Sequence, residues 1–280
     1  MNIIKAEKIT ETVKNMCIEA NTKLPEDVRK SLSNAIDTEK SETGKDILCK
    51  ICENYKIADE KNMPICQDTG MAVFFVNIGT NVFVDGNIND AINEGVRQGY
   101  VEGYLRKSVV ADPVRRGNTN DNTPAVIHYD FFDGDYIEIT IAPKGFGSEN
   151  MSAIKMFSPS AGLEGIYDFV VETINKAGSN PCPPIIVGVG IGGTFEKCAY
   201  LAKKALTRSI EVRNSDEFYA NIEQTLLKKI NNLGIGPQGF GGTVTALAVN
   251  VETYPTHIAG MPVAVNVGCH VTRHLTKTIK

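Results

Sequence analysis

With 280 residues, 42% of them hydrophobic and 22% charged, the chain has ample material for a packed core in one large domain or two intimate ones. A net charge of -4, with no Lys/Arg run and no interleaving of basic and aromatic residues, excludes a nucleic-acid surface. No apolar run approaches the roughly 20 residues of a membrane span, so no membrane association is expected and the chain should be cytoplasmic.

In chain order, Ile4, Ile9, Val13, Met16 and Ala20 recur at helical spacing and predict a first helix. Pro25 with Glu26 and Asp27 reads as the first turn of a second, and a third is expected from about Lys45 to Ile57. This helical portion ends at "PICQDTG". "MAVFFVNIG" and "NVFVDG" then read as strands, and "INDAINEGVRQGYVEGYLRKS" as a long helix. "TPAVIHYDFF" and "DYIEITIAP" alternate on either side of "DGD", which predicts a hairpin, and "KGFGSEN" follows as a glycine-rich loop.

Farther on, "GLEGIYDFVVETINKAG" predicts a helix, "PPIIVGVG" a buried strand, and "FEKCAYLAKKALTRS" and Phe218 to Leu233 two more helices. Glycine-rich turns are expected around "GIGPQGFGGT". Helices and strands alternate without a low-complexity linker. The expected fold is therefore mixed α/β (α+β), a helical N-terminal portion followed by mixed sheets flanked by helices, with residues 1–280 as a single domain.

Several motifs are decoys. Gly188-x-Gly190-x-x-Gly193 follows an apolar strand and precedes a helix, as a dinucleotide fingerprint does. It lacks a second strand ending in an acidic residue about twenty positions on, so a structural turn is the expected role. Cys49-x-x-Cys52 resembles half of a zinc knuckle, but on a helix Cys52 falls with Leu48, Ile51 and Tyr55 on an apolar face, which favours packing. His270-x-x-x-His274 beside Cys269 has the spacing of a helical metal clip, and a solvated basic tail is an equal alternative. His257 lies in a loop bracketed by prolines and a glycine; a structural and a catalytic histidine are both open there.

Seven cysteines, an odd number scattered along the chain, point to reduced thiols with ligands among them. Cys17 and Cys198 sit inside helical patterns, whereas Cys66, Cys182 and Cys269 each stand where a loop meets an element. Three thiolates suit an iron-sulfur cluster with one iron left open, because a purely structural cluster normally takes four.

"CQDTG", "GYLRKS", "KGFGSEN", "NPCPP", "GIGGT" and "THIAGMPVAVNVGC", in this order, resemble the iron-sulfur-dependent (class I) fumarate hydratase and L(+)-tartrate dehydratase family, from about Ile3 to His274. The likeness is to the alpha subunit of its two-subunit form. It implies a hydro-lyase acting on a small dicarboxylate, with fumarate and malate first and L-tartrate as the alternative. It also implies a [4Fe-4S] cluster on Cys66, Cys182 and Cys269, substrate contacts from Gln67, Arg106 and the backbone at Gly147, and a catalytic pairing of Asp68 with His257. The family's second domain has no counterpart in this sequence, so a separate beta subunit carrying the proton-abstracting base is expected, in a dimer of heterodimers. A reading of another class is a non-catalytic metal-binding module that regulates a partner.

Overall fold

The computed structural model describes residues 2–280. In chain order the elements are β1 (Asn2–Lys5), α1 (Ala6–Thr22), α2 (Glu26–Thr38), α3 (Glu42–Lys61), β2 (Val73–Gly79), β3 (Val82–Asp85) and α4 (Ile88–Glu102). After them come β4 (Val126–Phe132), β5 (Ile137–Ile141), α5 (Phe146–Glu149), β6 (Ala153–Phe157), α6 (Gly162–Ala177), β7 (Ile185–Gly192) and α7 (Phe195–Ala205). The chain finishes with α8 (Glu217–Asn231), β8 (Ala246–Tyr254), β9 (Met261–Gly268) and β10 (Leu275–Ile279). The fold class is mixed α/β, and among the described residues no helix is long and apolar enough to cross a membrane.

The chain divides into two compact units. The first comprises the residues up to Pro25, Tyr55–Phe146 and Arg273–Lys280; the second comprises Glu26–Asn54 and Gly147–Thr272.

In the first unit α1 buries Ile9, Val13, Met16 and Cys17 against Ile92, Val96 and Tyr100 of α4 and against Phe74, Val76, Ile137 and Ile139 of the sheet. Truncating a side chain as buried as Phe74 to Ala typically costs about 3–5 kcal/mol, so this seam anchors the unit. Ile4, which continues the helical spacing, instead lies in β1, paired in parallel with β3 at Val84. Asn87 caps α4 by accepting the N–H groups of Asn89 at 2.9 Å and Asp90 at 3.4 Å. The helix stops at Glu102, short of the expected span, because the backbone turns at Tyr104 with φ 53°.

The expected hairpin does not form. The sheet order is β10-β5-β2-β4, with β2 parallel to β4 and antiparallel to β5. Val73 to Val76 are buried, and an apolar run of that kind is stable in the sheet interior, where both edges find partners. The "DGD" turn wraps the end of β2: Gly79 N–H donates to Tyr136 O and Asn81 N–H to Gly134 O, both at 2.9 Å.

The second unit is built on a sheet of order β6-β9-β7-β8. All eight residues of β7 are buried. Ile185, Val187, Val189 and Ile191 pack with residues of α6 and α8, while Gly188 and Gly190 meet α7, so both faces are covered. A Cβ on Gly188 would run into the carbonyl oxygen of Ala202, and one on Gly190 into that of Cys198. The glycine fingerprint thus serves close helix–strand packing. "GFGSEN", expected as a loop, contains the short helix α5.

Candidate active site

In the first unit the chain leaves α3 and forms a tight turn carrying Cys66, Gln67 and Asp68. Asp68 N–H donates to Cys66 Sγ at 3.4 Å, the contact a thiolate favours, and Gln67 Oε1 is 3.5 Å from the same sulfur. The Asp68 carboxylate is oriented by two backbone donors: Gly70 N–H to Oδ1 at 3.0 Å and Phe146 N–H to Oδ2 at 2.9 Å. Gly70 has φ 76° and lies so near the Lys144 backbone that a Cβ would come within 2.6 Å of it, so the turn needs glycine there. Met71 and Lys144 close the approach with reciprocal backbone hydrogen bonds of 3.0 and 2.9 Å.

Thr69 ties Arg106 to this turn. Its hydroxyl accepts the Arg106 N–H at 2.9 Å and donates to Arg106 O at 3.3 Å. The turn at Tyr104 that ends α4 brings Arg106 to this position, off the helix. The Arg106 side chain is exposed, and no carboxylate among the described residues pairs with it, so its planar fork remains available for a ligand carboxylate.

Three residues that carry no local sequence signal complete the scaffold. The Tyr100 hydroxyl, fully buried, donates to Thr69 O and Gly70 O, each at 3.1 Å. Asn122 Nδ2 donates to Gly70 O at 3.2 Å, and Arg273 Nη2 donates to Asp68 O at 2.6 Å. Arg273 is 4% exposed, and its Nε and Nη1 find no partner among the described residues. The partners of these side chains lie far along the chain, which is why periodicity could not find them.

In the second unit Cys182 and Cys269 meet at one end of the sheet. β7 and β9 are antiparallel with Ile186 opposite Gly268, so the turn before β7 and the residue after β9 fall together. His270 N–H donates to Cys182 O at 3.3 Å, and its Nδ1 lies 2.9 Å from the same oxygen, 88 residues away in sequence. Gln238 supports this corner, donating through Nε2 and through its backbone N–H to Pro183 O, each at 2.8 Å. Cys182 is exposed and holds φ 56°, a sparsely populated conformation for a residue with a side chain. Gly147 belongs to the same neighbourhood, since a Cβ there would lie 3.6 Å from Asn180 O.

His257 stands at the other end of that sheet, in the loop between β8 and β9. Gly193 N–H donates to Pro255 O at 3.2 Å and Thr256 Oγ1 to Gly193 O at 2.9 Å, which fixes the loop where β7 ends. Ala259 N–H donates to His257 Nδ1 at 3.1 Å, so the neutral ring carries its proton on Nε2. His270 and His274 are not a helical clip, because residues 269–274 form a turn whose hydrogen bonds hold Cys182 and Cys269.

No disulfide joins any of the seven cysteines. Cys17 and Cys198 are buried in helices, and burial pushes both thiols up, that of Cys198 to about 12, which keeps them protonated and inert. Cys52 is buried beside Leu48, Ile51 and Tyr55, and Cys49 is exposed on the same helix. Cys66, Cys182 and Cys269 alone combine solvent access with a loop position, and this donor chemistry fits a thiolate-ligated iron-sulfur cluster. Among the described residues no three His, Cys, Asp or Glu side chains stand together as a metal site; Cys66 lies in the first unit and the other two in the second.

The sequence profile described as fumarate hydratase (Fumerase) matches residues 10–278. A Methanocaldococcus jannaschii protein, provisionally named L(+)-tartrate dehydratase subunit alpha, is 46% identical over 98% of both chains. The proteins named L(+)-tartrate dehydratase subunit alpha in Escherichia coli K12 and Shigella sonnei are each 36% identical over 96% of this chain and 90% of their own. On the match along nearly its whole length, the chain belongs to the fumarate hydratase (Fumerase) family of hydro-lyases.

Proposed function

We propose that the chain is the alpha subunit of a hydro-lyase that reversibly adds or removes water on a small 2-hydroxy dicarboxylate, with Cys66, Cys182 and Cys269 as the ligands of a [4Fe-4S] cluster. The observation that carries this reading is the meeting of Cys182 and Cys269 at one end of β7 and β9. When bound, the cluster supplies a Lewis-acidic iron, the help that a poor leaving group such as hydroxide requires. In this reading residues 1–280 act as one catalytic, cluster-binding domain.

Arg106 grips a substrate carboxylate through paired N–H donors, and Gln67 with the backbone at Gly147 adds polar contacts to the diacid. Asp68, held by the N–H groups of Gly70 and Phe146, is the acid–base group and acts with His257 on the proton of the departing water. The base that takes the C–H proton is assigned to a separate beta subunit. The names of the three relatives, each a subunit alpha matched along nearly its whole length, support that partner. The assembly proposed is a dimer of such heterodimers. Seven cysteines without a disulfide support a reducing cytoplasmic location.

Malate and L(+)-tartrate both satisfy this description. The family name favours the fumarate–malate pair and the relatives' names favour L(+)-tartrate. The deciding experiment measures iron and sulfide in anaerobically prepared protein and assays both diacids with the chain alone and with its beta partner. Cluster loading with activity only in the complex is expected. Brisk turnover by the chain alone would overturn the two-subunit reading, and a loaded complex inert toward every diacid would favour a regulatory metal-binding module.

A further inference from the structure

Asn266 is the one polar side chain in β9, a strand otherwise made of Met, Pro, Val, Ala and Gly and buried from Pro262 onward. It is 6% exposed, and its Oδ1 has no partner among the described residues. Burying an amide with its oxygen unpaired carries a free-energy cost that an apolar side chain at this position would not. What the amide supplies is its nitrogen: Nδ2 donates to Glu149 Oε2 at 2.9 Å and to Ser152 Oγ at 3.0 Å.

These contacts follow from the fold of the second unit. β6 runs antiparallel to β9 with Ala153 opposite Val265, a register that continues to Ser152 and Asn266, and the Ser152 hydroxyl also accepts the Val267 N–H at 3.2 Å. On the same face α7 packs Cys198 and Ala202 against Ala264, two residues before Asn266. The next residue of that helix, Lys203, donates to Glu149 Oε1 at 2.5 Å. The Glu149 carboxylate thus has one oxygen on the sheet and the other on α7. Its side chain and that of Lys203 are 25% and 18% exposed, so solvent screens this pair less than it screens a surface ion pair.

Glu149 follows Gly147 by two residues, and Asn266 precedes Cys269 by three. Gly147 also lies against the turn of the other cysteine: a Cβ there would stand 3.6 Å from Asn180 O, in the turn that the Cys182 N–H closes on Ser179 O at 3.0 Å. We infer that Glu149 is a positioning residue, a strut that holds the backbone at Gly147, and with it the polar contact to the diacid, in fixed relation to Cys182 and Cys269. Lys203 completes the strut, because a carboxylate held at one oxygen keeps its rotational freedom. The inference rests on the assignment of Gly147 and the cysteines given under Proposed function. Gly147 touches the diacid before and during the reaction alike, so displacing it weakens binding and leaves the chemical step unchanged.

The test uses the complex of the chain with its beta subunit, with rates expressed per bound iron. Glu149→Gln leaves one oxygen for two donors, so Lys203 or Asn266 faces an amide NH2; Asn266→Asp sets one carboxylate against another. Each should raise KM for the diacid, and the inhibition constant of the unreactive diacid succinate, by about 10-fold, with kcat within about 2-fold and iron content unchanged. The double variant Glu149→Gln, Asn266→Asp exchanges donor and acceptor: the new amide donates to the new carboxylate and still offers Lys203 an oxygen. Both constants should then return to within about 2-fold of wild type.

An ion pair that serves folding alone would move the urea midpoint and leave KM and succinate inhibition where they were. That result overturns the inference, as does a double variant no better than the worse single one. If an Asn266→Asp variant fails to assemble, Lys203→Met takes its place; it frees the carboxylate from α7 and should raise both constants by less than Glu149→Gln does, and no rise in either overturns the inference. Failure of the underlying reading shows elsewhere: a wild-type complex that turns over no diacid, or a Cys269→Ser complex that keeps its iron, removes the assignments on which the strut depends.

Discussion

Arg273 Nη2 donates to the main-chain oxygen of Asp68 at 2.6 Å, joining the segment before β10 to the turn that carries the proposed acid–base group. Arg273 is buried, yet two of its guanidinium nitrogens lack partners. Replacing it with Met removes a charge-assisted hydrogen bond, typically about 1.5–3 kcal/mol, and also relieves the cost of a poorly satisfied buried cation. These terms oppose, so Arg273→Met should move the urea midpoint little. Turnover should still fall by roughly 10- to 100-fold, because a loosened turn misplaces Asp68. A large loss of stability with turnover per folded molecule intact would show that Arg273 serves folding alone.

The three loop cysteines should behave alike and unlike the rest. Cys66→Ser, Cys182→Ser and Cys269→Ser should each abolish loading of about four iron and four sulfide per chain. Cys49→Ser, at an exposed helix position, should leave loading unchanged. Chemical iron and sulfide analysis of anaerobic preparations decides it, and a cluster that survives any of the three replacements removes that cysteine from the ligand set.

Asp68→Asn and His257→Asn should each lower turnover by roughly 10²–10⁴-fold with the cluster retained, the range for a lost general acid or base. Because both groups serve one proton transfer, the double variant should be little slower than the worse single one. Both Asp68 oxygens accept backbone N–H groups, so the Asn amide opposes a donor with a donor. Cluster content therefore has to be measured beside the rate. Losses that multiply would dissolve the pairing.

Glu39 gives the second unit a dependence on acid pH. Its buried carboxylate accepts the N–H groups of Lys40, Ser41, Thr243 and Val244 at 2.7–3.0 Å, binding the end of α2 to the glycine-rich loop. Burial pushes the carboxyl up, and the donors from Ser41, Thr243, Val244 and Lys40 together outweigh it, leaving the group below its ordinary value of 4.5. A carboxyl lowered in the folded state binds fewer protons there than in the unfolded chain. Its contribution is complete above 4.5 and is lost as pH falls through the lowered value. Glu39→Gln should cost about 1.5–3 kcal/mol at pH 7, the scale for hydrogen bonds to a charged group. The gap from wild type in urea unfolding should narrow below pH 4.5. A gap constant with pH would mean that the charge contributes nothing.

Local pattern determined a good deal. The repeating apolar positions of α1, α6 and α8, the acidic first turn of α2 and the uninterrupted apolar run of β7 each follow from burying one face or two, and the structure has these elements where the spacing puts them. Cys52 faces inward with Leu48 four positions before it, whereas Cys49, one helical step of about 100° on from Leu48, is turned outward. The motif order that identifies the family is likewise a property of the sequence alone.

Tertiary structure decided which segments lie side by side. "DGD" has the chemistry of a hairpin turn, yet β2 lies between β4 and β5, because strand pairing is set by what each strand buries against distant partners. Ile4 fits the period of α1 but pairs in β1 with a strand about eighty residues on. The register of β7 on β9 brings Cys182 to Cys269 and, by the same antiparallel geometry, carries His257 to the far end of the sheet. In the sequence His257 is only twelve residues before Cys269. In the fold an extended strand separates them, because each residue of a strand advances the chain about 3.3 Å and none of that length is folded back.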